Sequence, residues 1–214
     1  MVRGPVTVVT PTRSRLPSLP PADARERARL AGAAATLVAF GGILLATLLD
    51  PTFSWADDAL SDLGVRPRST PVFNGGLVVA GLVGLGYAPG LWQNRDGNGG
   101  RLLPRAVAVV FAFSMVGLAG VGLFDLTHPL HFPAAGGFYL FVTAAFALDG
   151  IARRRTRTGR LTLLLAPLHV LGWWTWSAGY WDVSGLALPE LFGALLFAAW
   201  VWVLGPLPVV ESSG

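Results

Sequence analysis

Six predominantly apolar runs alternate with short polar segments along the chain, at 30–49, 72–91, 102–124, 132–148, 161–181 and 186–204. Each is close to the roughly 20 residues that an α-helix needs to cross a hydrocarbon core of about 30 Å. The pattern predicts an all-α fold, a polytopic bundle of six transmembrane helices. No small-residue cleavage site stands in a suitable place near the first run, so it reads as a retained span and not as a secretory leader. Proline placement agrees with the runs. Pro104, Pro133 and Pro189 fall in first turns, where a missing N–H costs nothing, and Pro206 and Pro208 stop the last run. Pro167 lies inside the fifth run and predicts a local kink.

Charge adds a direction. Only 13% of the 214 residues are charged, against about 25% in a soluble domain, and every one of the 16 cations is an arginine. Fourteen of them flank the runs on one side: Arg3 to Arg29 before the first, Arg95, Arg101 and Arg105 between the second and third, and Arg153 to Arg160 between the fourth and fifth. Only Arg66 and Arg68 lie on the other. The positive-inside rule then predicts a cell-membrane protein with both termini cytoplasmic. The net +4 divides into +9 inside, where fourteen arginines oppose five acids, and −5 outside, where two oppose seven. Short arginine runs between apolar blocks are not the aromatic-interleaved basic face that nucleic acid requires; the expected partners are membrane lipids. The domain reading is a disordered cytoplasmic tail at 1–28, a membrane domain at 29–206 and a short C-terminal tail at 207–214. Cysteine is absent, which excludes disulfides and thiolate chemistry, and no cofactor motif is identified. Gly76, Ala80, Gly84 and Ala88 recur every fourth residue. Such a stripe suits close packing within the bundle, or a homo-oligomer interface.

The outer connections carry the candidate chemistry. In 50–71, Ser54 and Asp57 fit a capping pattern, and Gly64 can close a helix. A two-turn interfacial helix is expected over 55–63, with Trp55, Leu60 and Leu63 inward and Asp57, Asp58, Ser61 and Asp62 on the polar face. The second connection gathers Asp125, His128 and His131 within seven residues. On a helix, histidines three apart share a face and can hold a metal with a carboxylate, but Pro129 and Pro133 break that regularity. His169 lies about 18 Å below the outer surface at 1.5 Å per residue, too deep to complete an outer metal site, and reads as a neutral histidine bonded between helices. Trp173 and Trp174 lie deeper than an interfacial belt requires and are expected to line an apolar cavity. Glu190 and Asp182 add acids outside, giving an acidic mouth over a tryptophan-lined interior.

Leu60-Ser61-Asp62-Leu63-Gly64 followed by Phe73-Asn74-Gly75-Gly76, together with Gly122-Leu123-Phe124 and a downstream His128, resembles the prokaryotic membrane family catalogued as domain of unknown function 998, distantly similar to the Frag1/DRAM/Sfk1 membrane proteins. Asp125 stands where that family's proline is expected. The resemblance implies a six-span architecture and brings no activity with it.

The candidate polar site is Ser61, Asp62, Asn74, Asp125, His128 and His131, with the Asn74 amide positioned to cap the first loop or to bridge to Ser61 or Asp62. Two functions fit: a non-enzymatic bundle that binds a lipid or small apolar ligand or organises the membrane, and a membrane-embedded hydrolase or transferase in which His128, His131 and Asp125 hold a metal or move a proton. A proton-coupled transporter using His169 and Asp182 ranks below both, because no inverted repeat of broken helices is evident.

Overall fold

The computed structural model describes residues 21–94 and 100–210. Helix α1 spans Pro21–Leu49 and stops where Asp50-Pro51 disfavours a further helical residue. It begins nine residues before the apolar run. Ala28 is fully buried, and a Cβ on Gly90 would meet it and Leu207. The expected disordered tail is therefore corrected at 21–28, which is helix, and at Leu207, which is core; the remainder, 1–20 and 211–214, lies outside the described residues.

The other five helices are α2 Thr70–Gln93, α3 Leu102–Leu123, α4 His131–Ala152, α5 Arg157–Ser177 and α6 Ala187–Leu204. Proline explains the irregular points. Pro89 cannot donate to the Leu85 carbonyl, so Leu85–Tyr87 tightens into a 3₁₀ turn in which the Ala88 N–H takes that carbonyl instead. The turn also carries Tyr87 into the core. At the end of α6, ahead of Pro206, Trp200–Leu204 widens into a π turn, and the Gly205 N–H reaches the Trp200 carbonyl at 2.6 Å. Helix α5 runs unbroken through Pro167.

Hydrogen bonds between the ends fix the up-and-down order. At the arginine-rich end, the Tyr87 hydroxyl donates to the Leu207 carbonyl at 2.9 Å, the Arg153 guanidinium and Thr162 hydroxyl both donate to the Leu204 carbonyl, and the Trp200 indole donates to Asp149 at 2.8 Å. At the acidic end, Ser184, Gly185 and Ala187 donate backbone N–H groups to the carbonyls of Ala56 and Asp58. Helix α5 runs from one layer to the other, although among the described residues five helices, not six, are long and apolar enough to span a membrane by themselves. Arg157, Arg160 and His169 dilute α5 below that mark.

Packing follows a membrane logic. Tyr87, Phe111, Phe146, Phe197 and Trp200 interlock in the centre with ring centroids 5.2–6.2 Å apart. Outward-facing leucines and phenylalanines are bare: Leu48 is 81% exposed, Leu102 78% and Phe132 71%. So much apolar surface is untenable in water but is ordinary contact with acyl chains. The protein is a multi-pass helical membrane bundle. The small-residue stripe of α2 is used within the chain. Gly76 approaches Gly42 of α1, Gly84 meets Met115 of α3 and Ala35 of α1, and Ala80 is fully buried. Gly76, Ala80 and Gly84 are thus engaged in close helix packing within the chain.

Candidate functional site: a cleft between α4 and α5

The loop between α1 and α2, the first at the acidic end, is a chain of side-chain-capped turns. Asp50 accepts the Thr52 backbone N–H at 3.0 Å and its hydroxyl at 2.6 Å; these bonds, with Arg66 nearby, hold the carboxyl below its ordinary value of 3.8. Arg66 also pairs with Asp58 at 2.9 Å. Ser54 and Asp57 bond reciprocally, as the capping pattern predicts, but no two-turn helix follows. The helical element is a single 3₁₀ turn, Leu60–Gly64, in which the Asp62 carboxylate accepts the Ala59 N–H at 2.7 Å. The carbonyls of Ala56 and Asp58, which a longer helix would use, accept N–H groups from Ser184, Gly185 and Ala187 instead, while Leu60 and Leu63 both enter the core with Ile43, Phe73 and Ala187. Ser61, expected on a solvated face, is buried.

This loop is tied to the head of α6. The Leu60 N–H donates to Glu190 Oε2 at 2.7 Å, and the Ser184 hydroxyl donates to Asp57 at 3.0 Å. The second loop closes on itself instead. Asp125 accepts the Thr127 N–H and hydroxyl at 2.9 and 2.6 Å, bonds that keep its carboxyl low, and His128 Nδ1 accepts the Leu130 N–H while its ring stacks on Phe124. His131, on the first turn of α4, points the other way. It is 3% exposed, and its Nδ1 bonds the Phe124 carbonyl at 2.7 Å. A carbonyl only accepts, so Nδ1 carries a proton and Nε2 is left without a partner among the described residues.

Between α4 and α5, roofed by the 3₁₀ turn and closed at the back by Glu190, lies a cleft of about 560 Å³. Its polar wall is Ser61, Asp62, His131, Thr143, His169 and Glu190. Its apolar wall includes Tyr139 and Trp173, and its lips are Phe132, Leu140 and Val170, all three exposed on the bundle's outer surface. From His131 to Thr143 it descends about 18 Å along α4 at 1.5 Å per residue. At the bottom, the Thr143 hydroxyl donates to the Tyr139 carbonyl, so His169 Nδ1 donates to the Thr143 oxygen at 2.8 Å. His169 Nε2 accepts the Trp173 indole N–H at 3.1 Å. Every polar atom of this triad is matched with His169 neutral and its proton on Nδ1. A narrower apolar cavity of about 80 Å³ lies behind, following α1 from Gly32 to Ile43. Ser61, His131, Tyr139 and Glu190 line both and form a polar partition between them.

The family model described as Protein of unknown function (DUF998) matches residues 33–206. The chain belongs to this family. No curated protein and no solved structure matches the chain.

In this DUF998 chain the six residues singled out from sequence do not form one site. Ser61, Asp62 and His131 meet in the cleft. Asn74 does not bridge to Ser61 or Asp62; its amide donates to the Gly64 carbonyl at 3.0 Å, and its Oδ1 is enclosed without a partner. Asp125 and His128 serve their own turn outside the cleft, so His128, His131 and Asp125 do not converge on one point. Among the described residues no group of three or more His, Cys, Asp or Glu is placed to hold a metal ion. Of the two deep tryptophans, Trp173 lines the cleft and Trp174, 100° round the helix, faces outward against Tyr180. The residues sequence left out of the site are Glu190, Tyr139, Thr143, His169 and Trp173. A carboxylate at 190 within an apolar run and a histidine nine residues into another are the signals, because ionisable groups at such depth are rarely idle.

Proposed function

We propose that this protein binds an amphiphile, a membrane lipid or a lipid-like molecule, in the α4–α5 cleft, without covalent chemistry. One observation carries the reading: the cleft opens sideways through lips that face acyl chains, while its upper wall concentrates Ser61, Asp62, His131 and Glu190. A molecule lying there keeps its chain among Leu140, Val170 and Trp173 and its head at the level of the outer loops. This is the division of polar and apolar groups that bilayer lipids themselves have. About 560 Å³ falls within the roughly 300–1,000 Å³ of small-molecule sites. The arginine bias supports an orientation with both termini cytoplasmic, so that the polar wall lies at the outer leaflet of the cell membrane.

Gly136 supplies the test. It lies on the cleft lining, and a Cβ there meets nothing within 4 Å, so Gly136→Leu fills the cleft without straining the helix. The purified protein, in a neutral maltoside detergent with phosphatidylethanolamine, phosphatidylcholine and phosphatidylglycerol added in equal amounts, is expected to retain lipid in native mass spectrometry. G136L is expected to melt like the native chain without lipid and to retain at least tenfold less. Equal retention by the two, or none by the native chain, overturns the reading.

A further inference from the structure

We infer that the head group this cleft selects is a protonated primary amine; the inference rests on the amphiphile reading and names its ligand class. The cleft wall carries two carboxylates, Asp62 and Glu190, and no arginine. Arg66, which pairs with Asp50 and Asp58, is not among the lining residues. Each cleft carboxylate spends one oxygen on the protein, Asp62 on the Ala59 N–H and Glu190 on the Leu60 N–H. The second oxygen of each has no protein donor among the described residues.

His131 provides the independent pointer. It is 97% buried, its Nδ1 proton is committed to the Phe124 carbonyl, and its unpartnered Nε2 belongs to a side chain lining the cleft. A neutral imidazole so fixed presents an acceptor. The upper cleft therefore offers acceptors from Asp62, Glu190 and His131 and no fixed cation. A head group that matches these acceptors must bring donors, and an ammonium carries three N–H groups. An anionic head meets like charge at the Asp62 carboxylate. A quaternary ammonium brings the charge but no N–H, and so leaves the acceptors unanswered. Tyr139 and Trp173, with ring centroids 4.9 Å apart, form an aromatic wall below, which suits the first methylenes of a chain.

The full-length protein is offered equal amounts of phosphatidylethanolamine, phosphatidylcholine and phosphatidylglycerol with identical acyl chains in maltoside micelles, and the retained lipid is counted by native mass spectrometry, with free ethanolamine as competitor. The amine lipid is expected at least tenfold over each of the others. Asp62→Asn and Glu190→Gln keep the acceptor that holds the loop but remove the carboxyl group, and each is expected to cut that preference at least threefold while losing no more than a few degrees of melting midpoint. Displacement by millimolar ethanolamine supports the same head-group chemistry and assigns it to a free amine; no displacement assigns it to the lipid. Equal retention of the three lipids overturns the amine inference and leaves amphiphile binding standing. No retained lipid, with no effect of ethanolamine on melting, overturns both.

Discussion

Glu190, on the first turn of α6, accepts the backbone N–H of Leu60 at 2.7 Å across 130 residues of sequence. The bond joins the roof of the cleft to its back wall, and it makes the first and third outer loops, not the first and second, one structural unit. It also sets the height of Ser61 and Asp62, the next two residues of the turn.

Removing that acceptor loosens the roof. Glu190→Ala deletes a charge-assisted hydrogen bond, worth about 1.5–3 kcal/mol, and leaves the Leu60 N–H unmatched. For a domain of this size that corresponds to a fall of roughly 4–10 °C in apparent melting midpoint. Glu190→Gln retains an acceptor and is expected to lose less than half as much. Differential scanning fluorimetry in maltoside checks both, and an E190A chain melting with the native one removes the bond from its structural role.

At the opposite end, Asp149 and Arg153 form a buried ion pair extended by the Trp200 indole, the Thr162 hydroxyl and the Leu204 carbonyl. Arg153→Met strands a carboxylate with one neutral donor, a loss of about 3–5 kcal/mol. The double variant Asp149→Asn, Arg153→Met removes the stranded charge and is expected to recover more than half of that loss. The thermal midpoints of the two single variants and the double variant close the cycle; additivity refutes the coupling.

These two clusters mark what sequence can and cannot reveal. The six helices were legible because hydrophobic runs, first-turn prolines and arginine bias are local signals. Ser61, Asp62 and His131 were legible as polar residues at the outer ends of spans. From sequence Glu190 reads only as one of the acids of the mouth, while its partner Leu60 is set by how α6 docks on the first loop. The sequence places His169 at the right depth as a neutral histidine bonded between helices, which its bonds to Thr143 and Trp173 match; that it also lines the site follows from a cleft about 18 Å deep, at 1.5 Å per residue. That 55–63 holds only a 3₁₀ turn follows from the carbonyls of Ala56 and Asp58 being taken by Ser184, Gly185 and Ala187, bonds made across the fold that no capping residue encodes.

Acid should act on the outer loops first. Asp50, Asp57 and Asp125 all have carboxyls held below the ordinary value of 3.8, chiefly by hydrogen bonds from Thr52, Ser54 and Thr127. A carboxyl depressed in the folded state contributes stability that is complete above its unfolded value and is lost as pH falls through the folded one. The apparent midpoint is therefore expected to be flat from pH 7 to about 5 and to fall below about pH 4 on account of these groups. Thr52→Val with Thr127→Val brings two of the carboxyls back towards their ordinary value and should shallow the acid limb. An acid limb unchanged in the double variant contradicts the assignment.

Glycine contacts separate tight helix crossings from open ones. A Cβ on Gly150 of α4 would stand 2.5 Å from Leu163 Cα and 2.6 Å from its nitrogen. Both are backbone atoms of α5, so no rotamer relieves the clash and the helices must part where they form the floor beneath Thr143 and His169. Overpacking of this kind costs about 1–3 kcal/mol, against about 0.5–1 kcal/mol gained when alanine replaces a helical glycine. Gly41 of α1 has nothing within 4 Å of its Cβ position, so Gly41→Ala keeps only the gain. G150A should therefore melt several degrees below the native chain and G41A at or above it. G150A should also reduce lipid retention, because parting α4 from α5 stretches the Thr143–His169 bond at the base of the cleft. If G150A melts with G41A, α4 and α5 do not approach as closely as Gly150 and Leu163 indicate.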